Sequence, residues 1–190
     1  MSVKTFAEDI LEFITTIKES LTSAVKTIDT DHAYIHDSIM FSTYDKKTLT
    51  AGGTTKYSIV TPDTASGTQI HWRPTSITSS GDNVLTTIYE GNSNVTAGGT
   101  LTPYNRNRTS SLTSKITFKS SATITTAGTA IDAYFIGGGT TNGGKTSGDT
   151  LIGKEEIILS KNKNYSIVIY NGSTASNTVF SKFMWYEENG

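Results

Sequence analysis

The chain has 190 residues, no cysteine and a formal net charge of −1, from 16 basic and 17 acidic side chains. That length suits one core-bearing domain with a small appendage. The charge balance leaves no electrostatic footprint for nucleic acid and no polybasic run for an anionic membrane, and no stretch approaches the ~18 consecutive apolar residues of a spanning helix. The absence of cysteine fits assembly in a reducing cytosol. The start, with Glu8 and Asp9 and no long apolar run, is not expected to act as a signal peptide.

Residues 5–28 carry a helical period. Phe6, Ile10, Phe13, Ile17, Leu21, Ala24 and Ile28 recur at steps of three and four, which places them on one helix face. Thr5 and Glu8 match a capping box, and Glu12, Lys18, Glu19 and Lys26 fall on the other side. Repeated threonine weakens the intrinsic helicity, so packing must hold the segment. The helix either docks on its own domain, or pairs with copies of itself or a neighbouring subunit. In the second case Phe6, Ile10, Phe13, Ile17 and Leu21 are the interface.

From about Tyr34 the period changes to two. Strands are predicted near Tyr34–Thr43, Lys56–Thr61, Gln69–Pro74, Val84–Glu90, Gly99–Tyr104, Ser114–Ser120, Ala130–Gly137, Glu155–Leu159, Tyr165–Tyr170 and Ser181–Glu187. Threonine suits a pleated surface, and the Gly-, Asn- and Ser-rich stretches between the strands suit turns. Many short strands with frequent turns predict a jelly-roll-like antiparallel β-sandwich. The expected organisation is an N-terminal amphipathic helix over 1–31 and a β-domain over 32–190. An Ala-Gly-Thr phrase recurs near Ala51, Ala97 and Ala127 at unequal spacing, which reads as similar turns rather than a solenoid repeat. Gly137–Asp149 reads as a long glycine-rich loop that could rest on a partner.

Candidate chemistry is sparse. Gly139–Thr146 formally matches a phosphate-binding loop, but Lys145-Thr146 runs into Ser147-Gly148-Asp149, where no helix can start to face a phosphate. His32 and His36 would share a helix face and could hold a metal with a third ligand, yet they lie at a helix-to-strand junction with no further ligand cluster. His71 falls alone on the outward face of a strand. No serine sits in a nucleophile elbow. A carboxylate pair would have to come from Asp63, Asp82, Glu90, Asp132, Asp149, Glu155 and Glu156, and the adjacent Glu155 and Glu156 point to opposite strand faces. The expectation is a chain without catalytic residues, cofactor or metal. Trp72 and Trp185 are expected in the core, the other reading being a sugar-stacking platform. Arg106 and Arg108 are two apart and share a face if extended. Glu90 is their candidate partner in an internal clamp, and a subunit contact is the rival.

The order Ile88-Tyr89-Glu90-Gly91, Ala97-Gly98-Gly99-Thr100, Pro103-Tyr104-Asn105-Arg106-Asn107-Arg108 resembles a group of small tailed-phage virion structural proteins. So do Ile158-Leu159-Ser160-Lys161-Asn162-Lys163-Asn164-Tyr165, the later Asn171, and Phe183-Met184-Trp185-Tyr186-Glu187. His36-Asp37 leading to Phe41-Ser42, and Thr61-Pro62-Asp63-Thr64, extend the likeness to about residues 32–188. The resemblance implies a non-enzymatic virion component assembled in the host cytoplasm, such as a capsid decoration or auxiliary head protein. Its partners would be other virion proteins and copies of itself. The helix would anchor, and many weak contacts would add up on a lattice. The rival is a tail or fibre module that binds host glycans through exposed aromatics.

Overall fold

A computed structural model describes residues 10–18, 30–63, 67–73, 76–137 and 156–189. Among the described residues two helices, α1 (10–18) and α2 (Thr30–His36), precede fourteen strands. The strands are β1 (Met40–Leu49), β2 (Thr54–Val60), β3 (Thr68–Trp72), β4 (Ser76–Ser79), β5 (Val84–Glu90), β6 (Ser93–Thr96) and β7 (Gly99–Thr100). They continue with β8 (Tyr104–Asn105), β9 (Thr117–Ser120), β10 (Thr123–Thr126), β11 (Thr129–Ile136), β12 (Ile157–Leu159), β13 (Asn164–Asn171) and β14 (Asn177–Asn189).

One sheet runs β12-β3-β14-β1-β8, with β4 also paired to β14; the other runs β11-β5-β13-β2-β9-β7. Every pairing is antiparallel. Eight of these strands form two four-stranded layers, β1-β14-β3-β12 and β2-β13-β5-β11, and along the chain each passes to the other layer except at β5 to β11, which stay in one. That is the strand order of a jelly roll, two Greek keys folded into one sandwich. The β6–β10 excursion inserts between β5 and β11. It extends one layer with β8 and the other with β9 and β7, and leaves β6 and β10 as a separate ribbon.

The core follows from strand parity. Ile70 and Trp72 of β3, Phe183 and Trp185 of β14, Tyr57 and Ile59 of β2, and Tyr165, Ile167 and Ile169 of β13 point between the layers and are buried. Rings meet across the gap: Phe183 lies 4.9 Å from Phe118 and from Tyr57, and Trp72 stacks on Phe118 at 6.0 Å. Within one layer, Trp72 also stacks on its strand neighbour Trp185 at 5.8 Å. Both tryptophans thus occupy the core, as their parity predicts, and supply no platform for sugar.

The recurring Ala-Gly phrase is explained by turn geometry. Gly52, Gly98 and Gly128, at the entries to β2, β7 and β11, have φ of +68°, +95° and +88°, the left-handed region that glycine occupies without penalty. At Gly128 a Cβ would also fall 2.2 Å from the Glu90 carbonyl oxygen.

Four elements differ from the sequence expectation: α2, β4, β6 and β10. Tyr34 is not the start of a strand; it belongs to α2, which is followed by a turn with Ser38 at φ +62° before β1 begins at Met40. Its ring stacks 4.1 Å from Tyr186 on the outer face of the β1-β14-β3 layer, so the aromatic there marks helix-on-sheet packing. Asp31 of α2 pairs with Arg73 at 3.0 Å. The boundary at residue 31/32 consequently cuts through an element that belongs with the β-body. The ribbon strands β6 and β10, and β4, are short and polar enough to read as turns in sequence.

Candidate functional site

The segment Tyr104-Asn105-Arg106-Asn107-Arg108 is built by its asparagines. Asn105, buried, donates from Nδ2 to the Ser38 and Leu112 carbonyls at 2.7 and 3.3 Å, and its Oδ1 accepts from the Asn107 amide at 2.9 Å. Asn107 in turn donates to Ser38 Oγ and accepts from the Thr109 amide and hydroxyl. The Arg106 amide donates to the Met40 carbonyl at 2.8 Å. These bonds fasten the turn to the edge of β1 and send the intervening arginines outward, where both are exposed.

There they flank a groove of about 600 Å³ over the outer face of β8, β1 and β14. Its walls are Tyr44, Tyr104 and Phe180, exposed to 60%, 45% and 40%. Tyr44 and Phe180 stack at 5.8 Å, and the Arg108 guanidinium lies 5.6 Å above the Tyr104 ring. Arg106, Arg108 and Lys182 line the groove, and among the described residues no acidic side chain does. Aromatic faces beside planar, multi-donor cations make a surface for a flat or ring-shaped anionic ligand.

This arrangement corrects the expected clamp. Glu90 lies in β5, paired to Thr129 and Tyr165 in the opposite layer, and forms no ion pair with Arg106 or Arg108 among the described residues. The spacing of the arginines was informative, but their partner was not readable, because which layer each strand joins is decided by long-range pairing. Tyr44 and Phe180 were missed although their parity carries a signal. Each falls out of phase with its strand's core residues, Phe41 and Phe183, and so must face outward.

A second polar cluster lies on the same outer face beneath α2. His71 is not solitary: it is buried, its ring stacks 4.4 Å from Tyr186, and Nδ1 donates to Glu156 Oε1 at 2.5 Å. Tyr186 donates to Glu156 Oε2 at 2.7 Å; Arg73 lies 3.8 Å from that oxygen, and Glu188 lies 3.6 Å from His71 Nε2. Burial alone would raise the Glu156 carboxyl, but the hydrogen bonds from His71 and Tyr186, with the charges of His71 and Arg73, hold it below its usual value of 4.5. Burial first, then the hydrogen bond to Glu156, pushes the Tyr186 hydroxyl well above its ordinary range.

The sign of the consequence is fixed by the lowered carboxyl. Its stabilising contribution is complete above pH 4.5 and disappears as pH falls through the lower folded-state value. Glu156→Gln should therefore melt below wild type at neutral pH, with the gap closing under pH 4.5. Thermal melts from pH 7 to pH 3 check this, and a gap independent of pH would contradict the role.

His32 and His36 do share a face of α2, with Nε2 atoms 2.9 Å apart. Among the described residues no group of three or more His, Asp or Glu side chains converges as metal ligands would. The phosphate-loop match at 139–146, nearly all of the Gly137–Asp149 loop, Glu155, Phe6 and Leu21 lie outside the described residues. Ile10, Phe13 and Ile17 lie on α1 and are exposed, Phe13 to 65%, together with Leu11 and Ile14. In the comparisons with known proteins, neither a family model nor a curated sequence matches the chain.

Proposed function

We propose that this chain is a non-enzymatic phage virion structural protein, a capsid decoration or auxiliary head component held by its N-terminal helix. The observation that carries the reading is the exposure of Ile10, Leu11, Phe13, Ile14 and Ile17 on α1. Such a concentration of large apolar side chains in water favours a partner surface. A second apolar row supports packing among neighbours: Phe135, Leu85 and Tyr170 are in register across β11, β5 and β13, and all three are exposed. Jelly rolls are also a frame that capsid proteins use. The sequence resemblance to small virion proteins points the same way.

Deletion of residues 1–30 tests the anchoring. The truncated protein should remain folded by circular dichroism yet fail to co-sediment with particles that bind the full chain. Normal co-sedimentation would refute the role of the helix.

The glycan-binding tail or fibre module is favoured by one observation, the exposed row of Tyr44, Tyr104 and Phe180. Burial of Trp72 and Trp185 counts against it, since the strongest stacking rings are withheld from solvent.

A further inference from the structure

The groove over β8, β1 and β14 is distinct from the helix and from the Phe135 row, and its chemistry is more selective than either. We infer that it is a binding site for a carboxylate-bearing oligosaccharide. The inference deepens the glycan-binding reading and rests on it, but does not require that the protein belong to a tail.

Three features define the ligand. First, Tyr44 and Phe180 present an adjoining pair of exposed rings, and Tyr104 adds a third across the groove. A pyranose offers a face of polarised C–H groups that fits the negative face of an aromatic ring, while its hydroxyls remain at the rim. Second, every charged side chain lining the groove among the described residues is positive: Arg106, Arg108 and Lys182. Guanidinium groups match a planar carboxylate with paired donors. Third, the arginines are held from behind. Asn105 and Asn107 fix the backbone through bonds to Ser38, and Arg108 is braced over Tyr104. Such bracing reduces the ordering cost when a ligand binds.

An acidic peptide would satisfy the cations but leave the ring faces without a flat partner. A neutral sugar would satisfy the rings but leave three unmatched cations. A sugar acid satisfies both.

Calorimetric titration of the full chain with three probes tests this: an oligogalacturonate, its methyl ester, and a polyglutamate peptide of similar length. The oligogalacturonate should bind at least about tenfold tighter than the other two, the scale of a lost charge-assisted contact. Arg106→Ala and Arg108→Ala should each weaken it by about tenfold, as should Tyr44→Ala, with unchanged melting temperatures because these side chains are exposed. Equal binding of the methyl ester would overturn the acidic class and leave the glycan reading standing. Equal binding of polyglutamate would overturn the sugar site in favour of an acidic peptide. Binding of no probe would overturn the acidic-sugar site and remove the groove as support for glycan recognition.

Discussion

Phe183→Ala should cost about 4 kcal/mol of folding stability, the usual range for emptying a buried aromatic position, and lower the melting temperature by roughly 10 °C in a domain of this size. The ring is fully buried and is the meeting point of the two layers, in contact with Tyr57, Phe118 and Trp72. Those neighbours come from three different strands, so the void cannot close by moving one side chain. Phe180→Ala, three residues earlier on the same strand, is the control. Its side chain faces the groove, and the substitution should stay within about 1 kcal/mol of wild type. Chemical denaturation of the two variants measures the difference. Equal losses would mean that the parity assignment of β14 is wrong.

Glu187→Ala should be nearly as damaging, at about 3 kcal/mol, because it strands several buried donors at once. Glu187 is only 6% exposed, and it faces inward beside Trp185. Its carboxylate accepts from Trp185 Nε1 at 3.1 Å, from Ser114 Oγ at 2.6 Å and from the Lys115 amide at 3.0 and 3.1 Å. It therefore fastens the 114–116 segment, which leads into β9, to the C-terminal strand. Removing the carboxylate leaves those donors facing a void, whereas Glu187→Gln keeps one acceptor oxygen and should lose about half as much. Urea unfolding with tryptophan fluorescence checks the order Ala worse than Gln worse than wild type. Since Trp185 itself donates to the carboxylate, the folded-state emission should shift in both variants. An unchanged emission in the alanine variant would show that the bond to the indole does not form.

The strands that alternate clearly in sequence were legible. Val84–Glu90 is predicted to the residue, and the periods of Ile70 and Trp72, and of Tyr165, Ile167 and Ile169, identify core faces correctly. The sandwich class followed from those faces and the turn spacing, and the repeated Ala-Gly phrase was legible as similar turns, whose glycines the structure shows to be left-handed. These features are local: side-chain alternation and backbone angles depend on a few neighbouring residues.

What pairing decides was not legible. Asn105 and Asn107 read as flanking residues of an arginine motif, yet their bonds reach Ser38, nearly seventy positions away. His71 reads as a lone outward side chain until Glu156, Tyr186 and α2 close around it. The arginines were rightly singled out but wrongly matched with Glu90, because β5 and β8 belong to opposite layers. By itself, then, the sequence determined an antiparallel β-sandwich with an apolar helical segment before it and an unusual Asn-Arg-Asn-Arg run within it. Only the tertiary structure decided that this run lines an aromatic, cationic groove with Tyr44, Phe180 and Lys182. The reason is physical: those groups lie on β1, on β14 and in the turn that leaves β8, brought together by hydrogen-bonded register across more than a hundred positions of chain, and no local pattern encodes which strand becomes the neighbour of which.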